Sequence, residues 1–328
     1  MGVEQAGLTF ASLVTLGPDA AVSTARLAQE LGYRSFWTAE TTGPEGFSLL
    51  AAAGSAAPGL DLGTGVVPMQ LRTPMVVAMA GATLQALHPD RDVLLGVGVS
   101  APVVTEQWHG VAYGGRPLQR AREYLTLLRR CLSGDKVDFA GDYYRAKGFR
   151  LGVRLGERRP KIVLAALNPG MLRLAGELAD GVLLNYLPAS HVPWSVEQVR
   201  RGGDATVYAY VHAGVCDRSD GIELARRDLF SYAVVDAYAR NFARAGFGDD
   251  VAAIRERFRE GDRAAAVAAV SDRMVDAIDV MGDEATVAAT MRAYADAGVD
   301  VPILMPLPWG ADRRATAERT IRAALDTT

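Results

Sequence analysis

The sequence has few of the residues that build disulfide frameworks or metal-binding motifs. Its 328 residues include two cysteines, Cys131 and Cys216, and four histidines. Each cysteine lies in an apolar pattern, which favours reduced thiols and a cytoplasmic location over a disulfide. The histidines are far apart and no H-E-x-x-H motif occurs, so the sequence predicts no metal site.

Long apolar runs and strong net charge are also missing. No run approaches the roughly 20 residues of a membrane-spanning helix, and the N-terminus lacks the pattern of a signal peptide. The formal net charge is −3, which gives no electrostatic reason to expect nucleic acid as a partner. We therefore expect a protein that acts on a small molecule, away from membranes.

Hydrophobic residues, in contrast, make up 49% of the sequence, enough for one large core in a single domain, residues 1–328. Short apolar segments alternate with segments of helical period. We predict eight strands, at residues 7–13, 35–39, 61–67, 93–97, 161–165, 180–185, 205–215 and 301–305. Helices are predicted at 19–31, 46–57, 74–87, 118–132, 169–178, 190–200, most of 220–280, 283–298 and 314–325.

Eight strands with helices between them predict a (β/α)8 TIM barrel with insertions after strands 4 and 7. The first insertion contains a long loop, residues 98–117, and a small hairpin near residues 137–144. The second is the helical segment that follows strand 7. A doubly wound open sheet is the alternative architecture.

The active site of a parallel barrel lies at the carboxyl ends of its strands, here called the mouth. The mouth of this sequence is mostly apolar and small, which suits a large flat ligand, because glycines let the backbone approach it closely. A helix that starts near Asn168 adds backbone N–H groups that favour an anion. The residues predicted to hold this ligand are Thr38, Gly65, Val66, Val67, Gly98, Val99, Ser100, Ala166, Leu167, Asn168, Pro169, Gly170 and Met171.

The same rule gives two catalytic candidates, Glu40 and His109. The predicted substrate pocket consists of Trp37, Thr41, Trp108, Tyr113 and Trp309. Structural alternatives stay open for these residues. Glu40 could be a paired strand-end carboxylate, His109 could pack on Trp108, Trp37 could belong to the core and Trp309 could only cover the barrel end.

Several stretches, in this order and spacing, resemble the bacterial luciferase-like superfamily, most of all its coenzyme F420-dependent oxidoreductase branch. They are residues 31–40, 62–66, 73–74, 95–98, 165–171, 179–181 and 297–300. The resemblance implies a TIM barrel, commonly dimeric, with the deazaflavin ring lying across the strand ends. It also implies a non-prolyl cis peptide at Gly65–Val66 behind the ring, and a phosphate-bearing tail near Ser100 and residues 167–171.

The sequence departs from the sugar- and alcohol-oxidising members of this superfamily at two places. They carry Asp-His where this chain has Glu40-Thr41, and a Glu where it has Ala101. Without that base and acid, reduction is the expected direction, with hydride passing to an activated C=C or C=N bond of a small, ring-bearing metabolite. The proton would come from solvent, Glu40, His109 or Tyr113, and sugar-phosphate oxidation is not expected.

Two further functions stay open at this point. One is an FMN-dependent monooxygenase, since flavin-using members also carry a Glu at position 40. The other is a barrel that binds a flavin-like ligand without turnover, because the mouth has few acid or base groups. For each of them we expect a Gly65→Val substitution to damage ligand binding by crowding the ring.

Overall fold

The structure is a computed structural model that describes residues 5–325. Its strands are, in chain order, β1 (Gly7–Thr9), β2 (Ser35–Thr38), β3 (Asp61–Thr64), β4 (Val67–Pro68), β5 (Val93–Gly98), β6 (Val137–Ala140), β7 (Arg145–Phe149), β8 (Lys161–Ala165), β9 (Gly181–Leu184), β10 (Thr206–Val215), β11 (Asp279–Gly282) and β12 (Val301–Pro306). Eight of them pair in parallel in the circular order β1, β2, β3, β5, β8, β9, β10, β12. Because β9 pairs with β10 and β12 pairs with β1, the sheet is closed. The predicted TIM barrel is confirmed.

The helices surround this barrel as the sequence predicts. They are α1 (Pro18–Leu31), α2 (Gly46–Ala56), α3 (Pro74–Leu87), α4 (Pro117–Leu132), α5 (Pro169–Leu178), α6 (Val192–Arg200), α7 (Arg218–Ala233), α8 (Asp236–Phe242), α9 (Gly248–Arg259), α10 (Arg263–Ala268), α11 (Asp272–Ile278), α12 (Glu284–Asp296) and α13 (Arg313–Ala323). The Thr73 hydroxyl accepts a hydrogen bond from Val76 N–H and Pro74 opens α3, so the predicted start of that helix is confirmed. Within residues 5–325, no helix is both long and apolar enough to cross a membrane.

The strand boundaries differ from the prediction where side chains bond the backbone locally. The first strand ends at Thr9 instead of residue 13, because the Thr9 hydroxyl accepts from Ala11 N–H and a 3-10 helix, Ala11–Leu16, follows. The second hairpin strand begins at Arg145 instead of residue 143. Glu123 accepts hydrogen bonds from the N–H groups of Asp142 and Tyr143, which removes them from the ladder.

One strand was missed within the segment predicted as almost wholly helical. Residues Asp279–Gly282 form β11, which pairs in parallel with the end of β10 outside the barrel ring. The preceding helices α7–α11, here called the helical insertion, pack around their own apolar cluster, which includes Phe230, Phe242 and Ile254. The predicted insertion after strand 7 is therefore present, and β11 connects it back to the barrel.

The interior of the barrel corrects the prediction for Trp37. Its side chain is 0% exposed and lies in the apolar cluster inside the barrel. Its Nε1–H donates to Ser35 Oγ at 2.8 Å, and its ring centroid is 5.3 Å from that of Tyr208. The absence of a side chain on Gly63 makes room for it, since a Cβ there would lie 2.4 Å from the indole. Trp37 is thus a core residue and does not line a substrate pocket.

Candidate active site

The chain makes a bulge between β3 and β4, and this bulge forms one wall of the mouth. The peptide bond Gly65–Val66 is cis, as the family resemblance implies. Two backbone hydrogen bonds attach the bulge to the end of β2: Gly65 N–H donates to Thr38 O at 2.6 Å, and Glu40 N–H donates to Val66 O at 3.2 Å. The mouth ends of the second and third strands are therefore held together.

Glycines on β5 let the bulge lie against its neighbouring strand. A Cβ on Gly96 would lie 1.7 Å from the backbone oxygen of Thr64, and one on Gly98 would lie 2.8 Å from Val66 Cγ2. The Val66 side chain thus occupies the space over Gly98 and lies beside Ala165 at the end of β8. These contacts bring two predicted ligand-binding residues, Val66 and Gly98, together beside the end of β8.

The inner side of the bulge rests on a tyrosine that the sequence analysis did not identify. The Tyr210 hydroxyl on β10 donates to Gly65 O at 2.8 Å, and the Thr9 hydroxyl lies 3.3 Å from its oxygen. Burial raises the pKa of Tyr210 far above its ordinary value, so the phenol keeps the proton that it donates. A Cβ on Gly65 would lie 1.8 Å from this hydroxyl. The expected crowding at Gly65 is therefore directed at the barrel interior and not at a ring in the mouth.

Glu40, a catalytic candidate, is paired with an arginine. Arg72 donates to it through Nε at 2.9 Å and through Nη2 at 2.7 Å, and Gly46 N–H donates at 3.0 Å. The hydrogen bond to Glu40 is the main cause that raises the pKa of Arg72. In all three contacts the carboxylate acts as an acceptor, so they do not support the predicted donor role. They assign Glu40 to an ion pair that positions the loops after β2 and β3.

The loop after β5 brings the second catalytic candidate, His109, to the loop after β2. Its Nε2 lies 2.7 Å from Thr41 O. Because a carbonyl oxygen only accepts, Nε2 carries the proton, and a neutral His109 has only Nδ1 left to act as a base. Both residues are exposed. The structure therefore brings His109 and Thr41 together at the rim of the mouth.

Tyr113 from the same loop is half-buried, and its backbone N–H donates to Glu106 at 2.9 Å. Burial raises the pKa of its phenol, while the charges of Arg120 and Arg240 lower it. Arg240 lies on α8, so this loop approaches the helical insertion. A phenol that is protonated at neutral pH and has cations nearby is suited to donate a proton.

The N-terminus of α5 has no side-chain cap. Asn168 occupies the N-cap position, but its amide donates to Ala237 O at 3.2 Å and accepts from Arg244 Nη2 at 2.6 Å. Burial, followed by the charge of Arg240, lowers the pKa of Arg244. Within the described part of the chain, Arg244 forms no ion pair with a carboxylate. The uncapped helix and this arginine make a site for an anion.

Gln70 follows the bulge and has an unpartnered amide. Both Oε1 and Nε2 are buried, and neither has a hydrogen-bond partner among residues 5–325. A buried amide without partners costs free energy, which a ligand that offers one donor and one acceptor would recover. Gln70 is therefore a candidate ligand contact that the predicted list did not include.

The remaining predicted residues divide between mouth and packing positions. Thr38 is 1% exposed and its hydroxyl donates to Gly46 O, while Val67 is fully buried, so both support the wall without presenting side chains to a ligand. Trp309 packs on Gly221 of α7, and Trp108 is 54% exposed. The residues at or near the mouth that keep partial exposure are Val66, Val99, Ser100, Leu167, Asn168, Pro169 and Met171. Ala166 is buried and Gly170 is exposed.

Besides Gln70, three residues of the site were not predicted: Arg72, Tyr210 and Arg244. Arg72 directly precedes the predicted start of α3 at the mouth, so the strand-end rule could have nominated it. Tyr210 lies in mid-strand and Arg244 within a helical segment, and each meets its partner across a long sequence separation. No local pattern indicates such contacts.

The protein is thus a closed (β/α)8 barrel whose mouth carries a glycine-bounded bulge and an uncapped helix start. A family model described as luciferase-like monooxygenase matches residues 5–301, so the chain belongs to the luciferase-like monooxygenase family. The predicted family and the predicted oxidoreductase class are confirmed.

Individual relatives agree with this membership. The chain is 29% identical over 310 residues to a putative coenzyme F420-dependent oxidoreductase of Mycobacterium tuberculosis, which covers 84% of this chain and 88% of the relative. It is 28% identical over 311 residues to a 5,10-methylenetetrahydromethanopterin reductase of Archaeoglobus fulgidus, covering 89% and 91%. The solved coenzyme F420-dependent tetrahydromethanopterin reductase of Methanopyrus kandleri superposes with a TM-score of 0.77 at 21% identity, covering 97% and 96%. That structural likeness supports the fold alone.

We expect Gly65→Ala to destabilise the protein through its clash with Tyr210 by about 1–3 kcal/mol. Tyr210→Phe alone should cost about 1 kcal/mol, because Gly65 O loses its donor. The double variant should cost clearly less than the sum, since removing the hydroxyl relieves part of the clash. Urea unfolding of the four proteins measures this coupling, and additive effects would show that Gly65 and Tyr210 do not compete for space.

We expect Arg72→Met to lower the free energy of unfolding by about 2–3 kcal/mol, because it leaves Glu40 partly buried without a cation. The matched control is Arg122→Met, which breaks an exposed pair with Glu177 and should cost less than about 1 kcal/mol. Chemical denaturation of both variants compares them. Equal losses would mean that the Glu40–Arg72 pair behaves as an ordinary surface ion pair.

Proposed function

We propose that this protein is an F420H2-dependent reductase that transfers hydride to an activated C=C or C=N bond of a small, ring-bearing metabolite. The Mycobacterium tuberculosis relative named above supports the deazaflavin, since it is F420-dependent by name. When bound, the reduced deazaflavin supplies the hydride. The chain's own residues bind it, exclude water and provide the proton.

The observation that carries the proposal is the buried, unpartnered amide of Gln70. The pyrimidine edge of a flavin or deazaflavin presents alternating donors and acceptors, which is the complement of a carboxamide. Gln70 follows β4, four residues after the Gly65–Val66 peptide that the resemblance places behind the ring. The residues present therefore fit a ring of this kind.

The uncapped start of α5 and Arg244 would hold the anionic tail of the cofactor. Met171 and its neighbours in the first turn provide N–H groups without an intrahelical acceptor. The amide of Asn168 positions Arg244 beside them. Both F420 and FMN carry a phosphate, so this site supports a phosphate-bearing cofactor without choosing between them.

The proton would come from Tyr113. Glu40 is committed to Arg72, and the protonated nitrogen of a neutral His109 is committed to Thr41. Tyr113 has a phenol whose pKa is raised by burial, so the donor stays protonated at neutral pH. The charges of Arg120 and Arg240 would stabilise the phenolate after transfer.

The second candidate is a monooxygenase that uses reduced FMN and O2. The description of the family model favours it, and nothing at the phosphate site opposes it. Titration of the purified protein with each oxidised cofactor, followed by anaerobic and aerobic turnover, separates the two. Oxygen-independent substrate reduction by F420H2 supports the reductase, and product formation that requires O2 supports the monooxygenase.

We expect F420 to bind more tightly than FMN in isothermal calorimetry. Gln70→Leu should raise the dissociation constant of F420 by about three- to tenfold, because one or two hydrogen bonds are lost. Gln29→Leu is the control. Gln29, in the last turn of α1, accepts from Gly59 N–H after the end of α2, at the opposite end of the barrel, and this variant should leave binding unchanged. FMN binding tenfold more tightly than F420 would contradict the cofactor assignment, and an unaffected Gln70→Leu would contradict its role.

We expect Tyr113→Phe to lower kcat by about 100-fold with F420H2 and cyclic enones or imines as test substrates. In the unsubstituted enzyme, activity that depends on the protonated phenol is present at neutral pH and falls as pH rises through the raised pKa of Tyr113. This fall should disappear in the variant. Tyr33→Phe, which removes a hydroxyl that bonds Ile321 O away from the mouth, is the control. An unchanged pH profile in Tyr113→Phe would assign the proton to solvent.

A further inference from the structure

Three metal-ligating side chains meet beside the helical insertion, outside the proposed cofactor site. His212 lies on β10, and its register partner Asp279 begins β11. Asp228 projects towards them from α7. One donor atom from each residue lies within 4.8 Å of the others. The three residues come from three elements and are 16 and 51 positions apart along the chain, so no sequence motif marks them.

The hydrogen bonds around His212 determine which of its nitrogens is available. Asn185 Oδ1 accepts from Tyr186 N–H at 2.9 Å, which fixes the orientation of the amide because a backbone N–H only donates. The same oxygen lies 2.8 Å from His212 Nε2, so Nε2 must carry a proton. The other nitrogen, Nδ1, lies 3.0 Å from Asp279 Oδ1. In His212, one ring nitrogen donates its N–H to an oxygen and the other ring nitrogen faces a carboxylate. This is the arrangement of a histidine that binds a metal ion.

Asp279 is incompletely satisfied. The residue is 0% exposed, and among the described residues its Oδ2 has no hydrogen-bond partner. A buried carboxylate oxygen without a donor is costly. This oxygen belongs to the same carboxylate that faces His212, so the unmet acceptor lies within the cluster.

Asp228 is the third member of the cluster. It accepts a hydrogen bond from the Tyr186 hydroxyl at 2.8 Å. One oxygen of each carboxylate and one nitrogen of His212 lie within 4.8 Å of one another. Two carboxylates beside an imidazole are a donor set that suits a divalent cation.

We propose that His212 Nδ1, Asp279 and Asp228 bind a divalent transition-metal ion of the Zn²⁺ type. Imidazole nitrogen and carboxylate oxygen are ordinary ligands for Zn²⁺, at about 2.0–2.2 Å. Neighbouring ligands around such an ion are about 3.3 Å apart, close to the 3.0 Å between Nδ1 and Oδ1. Asp228 would move inward, and water would complete a tetrahedral set.

The residues around the three ligands would orient them. Asn185 holds the Nε2–H of His212, and Tyr186 holds one oxygen of Asp228. Asn241 Nδ2 donates to Tyr186 O at 3.1 Å, which ties α8 to the same network. An ion at this place would connect the barrel strand β10 to both β11 and α7, and so fasten the helical insertion to the barrel. This site is separate from the proposed hydride transfer.

The full chain, treated with a chelator and then dialysed, is titrated with Zn²⁺ in a calorimeter and with Co²⁺ in an absorption spectrometer. We expect one equivalent of Zn²⁺, a rise in the midpoint of thermal unfolding with Zn²⁺, and the visible bands of a low-coordinate Co²⁺ site. Asp279→Asn and Asp228→Asn should each weaken Zn²⁺ binding by at least about 100-fold. Asp276→Asn, an exposed aspartate on α11 paired with Arg218, is the matched control and should bind normally.

Circular dichroism shows whether each variant is folded. If a variant does not fold, the titrations of the unsubstituted protein decide whether the metal site exists. Absence of stoichiometric binding by the folded, unsubstituted chain would overturn the proposal. Equal affinity in Asp279→Asn, Asp228→Asn and Asp276→Asn would also overturn it. Nitrogen NMR gives an independent readout, because Zn²⁺ should shift the resonance of His212 Nδ1. If both ring N–H protons persist in excess Zn²⁺, the cluster is instead a buried imidazolium–carboxylate pair.

Discussion

The hydrogen bond from Tyr210 to Gly65 O connects the interior of the barrel to the mouth. Its geometry requires that residue 65 has no side chain, because a Cβ there would overlap the phenol oxygen. With Gly65 pulled inward, the next residue, Val66, faces β5 and β8 and covers Gly98. The shape of the proposed ring wall therefore depends on a contact made below it, on the opposite side of the barrel.

The distribution of charge at the mouth follows from a second constraint. Glu40 and Arg72 come from the loops after two adjacent strands and neutralise each other. This pairing fixes the loops and engages the carboxylate as an acceptor. The mouth also has His109 at its rim, a phenol with a raised pKa, and an arginine at an uncapped helix start. Such a mouth suits a cofactor that brings its own reactivity and needs only binding and one proton from the chain.

The sequence was sufficient to predict the barrel because the signal is repeated eight times. Each apolar strand and each helical period is local, and the strand-end rule then places residues such as Val66, Ser100 and Asn168 near the mouth. Local reasoning failed where a side chain bonds the backbone nearby, as Thr9 does at the end of β1. It also failed for contacts between distant segments: nothing near Tyr210 in the sequence indicates Gly65, 145 residues away.

The same limit explains why Trp37 was placed in the pocket and why the His212 cluster was overlooked. Both depend on strand β10, whose alternate residues Tyr208, Tyr210 and His212 share one face. Tyr208 packs on Trp37 in the core, Tyr210 supports the bulge, and His212 meets Asp279 beside the helical insertion. One face of one strand thus links core, mouth and insertion. We expect that loosening the helical insertion at His212 would affect the bulge, because His212 and Tyr210 are only two residues apart on β10. The proposed ion and the proposed cofactor wall are therefore supported by the same strand.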